Sequence, residues 1–94
     1  QYYKVNYNGA FLPPERDVNI VGYSYIRNDV KKALSYFKLN IKNYPKSFNA
    51  FDSLGEAYML LGDKKNALNS YKKSLELNAN NQNAIKMIKE LIKN

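Results

Sequence analysis

Two carboxylates one helical turn apart, Asp52 and Glu56, are the residues whose types and spacing first suggest chemistry. Residues four apart share one face of a helix, so the pair could bind a cation or a basic peptide side chain. Calcium takes roughly six to eight oxygen ligands, and no further acidic residue lies close in the sequence. The spacing therefore favours contact with a basic group over a metal site.

Catalysis by Ser53, which lies between these carboxylates, is disfavoured by composition. A serine nucleophile needs a base to take its proton, and the chain contains no histidine and no Gly-x-Ser-x-Gly sequence. Cysteine is absent as well, which excludes thiol chemistry and thiolate metal sites. We predict that the chain is not an enzyme and uses no cofactor.

The elements that carry these residues have the periodicity of amphipathic helices. A first helix is expected to start at Pro14 and to end near Asn28, and a second to follow an Asp29 N-cap and stop before Pro45. Ser47 or Asn49 can cap a third helix, which carries Asp52 and Glu56.

Gly62 offers a left-handed stop for the third helix, and Asp63 is a plausible N-cap for a fourth that ends near Asn78. A last amphipathic helix opens at Asn80 and Asn81. The sequence therefore predicts five helices.

The helices repeat in pairs. Ala33 and Phe37 recur 34 residues later as Ala67 and Tyr71, whereas the glycine at position 22 recurs after 33 residues as Gly55. We expect the missing residue to shorten the turn inside the first pair. A period near 34 residues is typical of a stack in which no unit buries its apolar face alone.

Six residues of the second pair carry a resemblance to the tetratricopeptide repeat: Phe51, Leu54, Gly55, Tyr58, Ala67 and Tyr71 occupy the positions where that family has large, glycine, alanine and aromatic residues. The resemblance covers most of residues 14–94. It implies an all-α superhelix of helix pairs, with repeat one at 14–47, repeat two at 48–81 and a capping helix at 82–94. Asn40 stands where the family has a small residue.

In that family the first helix of each pair lines the concave surface, which implies a partner-binding face here. Its members are Arg16, Asn19, Tyr23, Asn49, Asp52, Glu56, Met59, Lys86 and Glu90, with Asn83 beside them. Family members that hold a terminal carboxylate use basic residues and asparagine at set groove positions. Asp52 and Glu56 fill the matching positions, so that partner class is disfavoured.

A second resemblance is to the C-terminal repeat tails of bacterial esterases of the α/β-hydrolase type and of related serine hydrolases. It rests on Pro13-Pro14-Glu15, Asn19, Gly22-Tyr23, Phe37-Lys38-Leu39-Asn40, Tyr44-Pro45 and Asp52-Ser53-Leu54-Gly55-Glu56-Ala57-Tyr58. It implies a non-catalytic module attached to a hydrolase and accounts for Asn40. Because the chain begins at Gln1 without a methionine, we expect a longer protein.

The segment 1–13 is predicted to be a linker or an extended stretch. Its tyrosines Tyr2, Tyr3 and Tyr7 are candidates for contact with an upstream domain or for local packing. Protein partners implied by the resemblances are the chain's own upstream domain, another copy or a peptide. The net charge of +7 admits nucleic acid, but scattered lysines on helix faces favour a solvated surface, and no apolar run has the length of a membrane span.

Overall fold

The computed structural model describes residues 4–5 and 11–93, with side chains from residue 13 onward. Five α-helices follow one another along the chain: α1 Glu15–Tyr25, α2 Val30–Asn43, α3 Phe48–Leu60, α4 Lys64–Leu77 and α5 Gln82–Ile92. The all-α prediction is confirmed. Two strands of two residues each, β1 Lys4–Val5 and β2 Phe11–Leu12, precede them and pair antiparallel. Tyr2, Tyr3 and Tyr7 lie outside the described residues.

Side-chain caps fix where four of the helices begin. Asp29, Ser47, Asp63 and Asn81 each accept a hydrogen bond from the backbone N–H three residues on, at 3.1 to 3.2 Å. Each bond satisfies a donor that the first helical turn leaves free. Of the two caps proposed for α3, Ser47 is the one used, and Asn49 lies inside the helix.

The two turns inside the helix pairs are built differently. Gly62 has a φ of 78°, and the N–H groups of Gly62 and Asp63 donate to the carbonyls of Met59 and Tyr58 at 3.0 and 2.9 Å. This pattern is a Schellman motif, which requires a left-handed residue that glycine supplies without strain.

The α1–α2 turn has no left-handed residue, and the N–H of Asp29 donates to the Tyr25 carbonyl at 2.7 Å. Helix α1 has 11 residues where α3 has 13. The prediction that the missing residue shortens the turn is therefore wrong. The turn spans residues 26–29 in the first pair and 61–63 in the second, so the residue is missing from the end of α1 instead.

Packing within each pair depends on a glycine that faces an aromatic ring. A Cβ placed on Gly22 would lie 2.8 Å from Phe37 Cδ1, and one placed on Gly55 would lie 2.8 Å from Tyr71 Cε2. Both distances are shorter than carbon contacts allow. The aromatic ring of the second helix therefore rests directly on the backbone of the first helix.

Helix α5 covers the end of the stack. Its Ala84 is fully buried and shares an apolar cluster with Ala67 and Tyr71 of α4. The position of α5 that corresponds to Gly55 is Lys89, which is exposed. Thus α5 packs on α4 but offers no glycine surface for an aromatic ring.

The unusual Asn40 joins the two helices of the first pair. It is fully buried, and its Nδ2 donates to the Glu15 carbonyl at 3.0 Å. Ser74, at the corresponding position of the second pair, donates to the Phe48 carbonyl at 2.9 Å. Both side chains bind a carbonyl in the first turn of the preceding helix, whereas the buried Oδ1 of Asn40 has no hydrogen-bond partner among the described residues.

No helix in the part of the chain that the structure describes is both long enough and apolar enough to cross a membrane.

Candidate functional site

The first helices of the two pairs, α1 and α3, are joined by two side-chain hydrogen bonds. Tyr23 Oη donates to Glu56 Oε1 at 2.8 Å, and Ser53 Oγ donates to Asn19 Oδ1 at 2.7 Å. Residues of α1 and α3 about one repeat apart therefore meet on one surface. Ser53 is buried, so its hydroxyl serves this contact.

Asp52 is held in place by Asn81, which was predicted from the sequence only as the start of a helix. Asn81 Nδ2 lies 3.1 and 3.0 Å from the two carboxylate oxygens of Asp52 and 2.8 Å from Ser74 Oγ. Through these contacts Asn81, itself buried, joins α3, α4 and the start of α5. The Asp52 carboxylate is consequently preorganised on the surface.

Neither Asp52 nor Glu56 has a basic partner among the described residues. The ion pairs in that part of the chain are Arg16 with Asp17 at 3.8 Å and Lys73 with Glu76 at 3.4 Å. This is notable because the chain has 15 Lys and Arg against 8 Asp and Glu. Such carboxylates are open to a cation from outside.

Charge is divided between the first and second helices. Helix α3 contains acidic residues and no basic one, whereas α2 and α4 together have a single acidic residue, Glu76. The lysines of α2 and α4 are all exposed: Lys31, Lys32, Lys38, Lys42, Lys64, Lys65, Lys72 and Lys73. The carboxylates of α3 therefore lie on a different helix from most of the positive charge, which is on α2 and α4.

The structure brings together four of the predicted site residues: Asn19, Tyr23, Asp52 and Glu56. Each has a hydrogen bond that joins neighbouring elements of the stack. This arrangement makes α3 the centre of the candidate surface.

The other predicted residues are not joined to these four by a hydrogen bond or an ion pair among the described residues. Arg16, Asn49, Lys86 and Glu90 are exposed, and none contacts Asp52 or Glu56 by a hydrogen bond or an ion pair. Met59 is half-buried and packs against the apolar cluster around Tyr71. The role of these residues in binding stays a prediction.

A groove next to Glu56 was not predicted from the sequence. It has a volume of about 510 Å³ and is lined by Ile26, Arg27, Val30, Glu56 and Leu60. The lining residues come from the α1–α2 turn and from two helices, so no single periodic pattern contains them. One signal was available, since Leu60 follows Glu56 by four residues and lies on the same face of α3.

Tyr23 titrates at unusually high pH. Burial raises the pKa of the Tyr23 hydroxyl to about 12, the neighbouring Ser53 hydroxyl lowers the pKa, and Glu56 and Asp52 raise it further. Burial also raises the pKa of Tyr71. Both hydroxyls remain protonated donors at neutral pH.

Replacement of Tyr23 by phenylalanine should change stability at alkaline pH. Unfolded tyrosine has a pKa of about 10, so the contribution from Tyr23 is fully present below that pH and is lost as the pH rises towards the folded pKa of about 12. In urea unfolding across this window, Tyr23→Phe should lose stability less steeply than the unmodified chain. Glu56→Gln should retain most of the pH dependence of stability, because burial is the main cause of the raised Tyr23 pKa. Equal slopes for Tyr23→Phe and the unmodified chain would contradict this assignment.

Within the described residues, no group of three or more Asp or Glu side chains is arranged to hold a metal ion.

The alternation of helix pairs, with an aromatic ring on a glycine in each, defines a helical-repeat protein, a class that presents extended concave binding surfaces. Residues 21–47 and 48–81 each match a family model described as tetratricopeptide repeat. Across these residues the chain belongs to the tetratricopeptide repeat family. Repeats of this family are generally non-catalytic and bind proteins, in line with the prediction that the chain is not itself an enzyme.

Similarity to a solved structure supports the fold. The structure of a point mutant of MamA is similar to this chain, with a TM-score of 0.73 and 22% sequence identity. The match covers 84% of this chain and 58% of that one, so the chain spans somewhat more than half of that protein. At this identity the similarity concerns the fold alone. No curated protein matches the sequence significantly.

Proposed function

We propose that this protein-interaction module holds a basic segment of its partner on the face of α3. The observation that carries the proposal is the pair Asp52 and Glu56, two carboxylates without a basic partner among the described residues of a lysine-rich chain. Asp52 is fixed by Asn81 and Glu56 by Tyr23. Side chains that are already fixed lose less entropy when a partner binds.

Charge supports a basic segment in particular. An acidic segment would meet two carboxylates on α3, and like charges in contact are unfavourable. A Lys or Arg side chain could pair with either carboxylate. Exposed ion pairs are individually worth roughly 0.2 to 1 kcal/mol, so we expect modest affinity that falls with salt.

Binding of a labelled lysine-rich peptide to the chain, followed by fluorescence anisotropy, tests this proposal. The net charge of +7 repels such a peptide, so binding requires a local acidic site. We expect Asp52→Asn combined with Glu56→Gln to weaken binding by about tenfold, or ~1.4 kcal/mol. Both changes remove charge and keep similar shape.

The matched control is Glu76→Gln combined with Asp17→Asn, which removes equal charge from carboxylates that already have basic partners. This control should bind as the unmodified chain does. Equal weakening in both double variants, or no binding to the unmodified chain, would rule out a site at Asp52 and Glu56.

The resemblance to hydrolase tails supports a second candidate. In this candidate function the repeats dock on an upstream domain of the same protein, or they join two copies of the protein. The match of the string from Asp52 to Tyr58 to those tails is the observation in its favour. The coding sequence upstream of Gln1 tests it, and a reading frame without a further domain there would exclude the docked-tail form.

A further inference from the structure

The groove beside Glu56 has an apolar floor and an exposed apolar wall. Ile26 is buried at 7% exposure and packs in the core with Val30 next to it. Leu60 lines the groove with 57% of its surface exposed. Covering a leucine this exposed removes apolar surface from water and so favours binding. With a volume of about 510 Å³, the groove has room for an aliphatic side chain together with its neighbours in a bound segment.

The rim carries two opposite charges that do not pair with each other. Glu56 accepts a hydrogen bond from Tyr23 through Oε1, and no described residue binds its other oxygen. Arg27 is exposed and forms no ion pair with a described residue. The groove thus presents one negative and one positive group to a ligand.

We propose that this groove recognises a short segment of a partner protein in which an aliphatic residue lies between a basic and an acidic residue. The aliphatic side chain contacts Leu60, the basic one pairs with Glu56 and the acidic one with Arg27. This inference rests on the proposed function, because Glu56 belongs to both sites. It adds the residue pattern of the bound segment.

A wholly apolar occupant fits less well. A lipid chain or an apolar small molecule would cover Leu60 while removing water from Glu56 and Arg27 without replacing it. Covering a charge without a compensating partner is unfavourable. A segment with charges on both sides of the aliphatic residue satisfies both rim groups.

Selection of a phage-displayed random peptide library on the immobilised chain tests the inference. We expect the enriched peptides to contain Leu, Ile, Val or Met with a Lys or Arg on one side of it and an Asp or Glu on the other. Leu60→Ser should weaken the best peptide by about tenfold. Leu61→Ser is the matched control, since Leu61 is 39% exposed and does not line the groove.

A charge swap adds a readout that altered stability cannot mimic. Arg27→Glu should change the enriched pattern, so that a basic residue replaces the acidic one. Lys72→Glu makes the same change in net charge at an exposed position of α4 outside the groove and should leave the pattern as it was.

The remaining outcomes separate this inference from the proposed function. Enriched basic peptides that depend on Asp52 but not on Leu60 or Arg27 would overturn the groove and leave the proposed function standing. Predominantly acidic peptides, or no enriched peptide, would overturn both.

Discussion

Gly55→Leu should lower the free energy of unfolding by roughly 1 to 3 kcal/mol, the usual cost of extra atoms in a packed core. A Cβ at this position would lie 2.8 Å from both Cε2 and Cζ of Tyr71, whose ring is 2% exposed. The ring of Tyr71 or the backbone of α3 would therefore have to shift to make room. Chemical denaturation followed by circular dichroism measures the change.

Two controls separate overpacking from helix propensity. Lys89→Leu places the same side chain at the corresponding position of α5, which is exposed, and should change stability by less than about 0.5 kcal/mol. In a Tyr71→Leu background, Gly55→Leu should cost less than in the unmodified chain because the ring is gone. A Gly55→Leu variant with an unchanged melting temperature would contradict the close approach of α3 and α4.

Asn81→Ala should have the largest effect of any single truncation of a polar side chain, about 2 to 4 kcal/mol. The change removes the cap of α5 and the contacts to Asp52 and Ser74 together. It also removes the hydrogen bond that the fully buried Ser74 Oγ accepts, although Ser74 still donates to the Phe48 carbonyl. Hydrogen bonds lost from buried groups are costly. Urea unfolding at neutral pH gives the measurement.

Asp63→Ala is the comparison for Asn81→Ala, because Asp63 caps α4 in the same way at an exposed site. It should cost distinctly less, since water can replace the lost bond. In a Ser74→Ala background the effect of Asn81→Ala should shrink, because one of its partners is already absent. If Asn81→Ala cost no more than Asp63→Ala, the buried network would contribute nothing beyond capping.

Local patterns predicted most of the fold. The caps Asp29 and Asp63, the stop at Gly62 and the close approach at Gly55 are each decided within a few residues or by the repeat itself. Such features can be found because short-range chemistry and periodic spacing carry them. The end of α1 could not be found this way, since it depends on how the chain closes a turn without glycine.

The candidate site was only partly predictable. The pair Asp52 and Glu56 follows from helical spacing, but the bond from Asn81 to Asp52 links residues 29 apart and requires the assembled stack. The groove formed by Arg27 and Leu60 combines a turn with a helix of the next pair. Met59, expected on the concave face, is half-buried and packs against the cluster around Tyr71, and its part in binding stays a prediction.

Lys89 has a consequence for engineering longer versions of this protein. A second helix added after α5, to complete a third pair, would have to place its aromatic ring where Phe37 and Tyr71 contact the glycine of their first helices, and there the ring would meet a lysine side chain. Lys89 would therefore hinder elongation of the array in that direction. Duplicating the segment from Phe48 to Asn81 between the existing pairs keeps a glycine under each ring, so insertion within the array should succeed more readily than addition at its end.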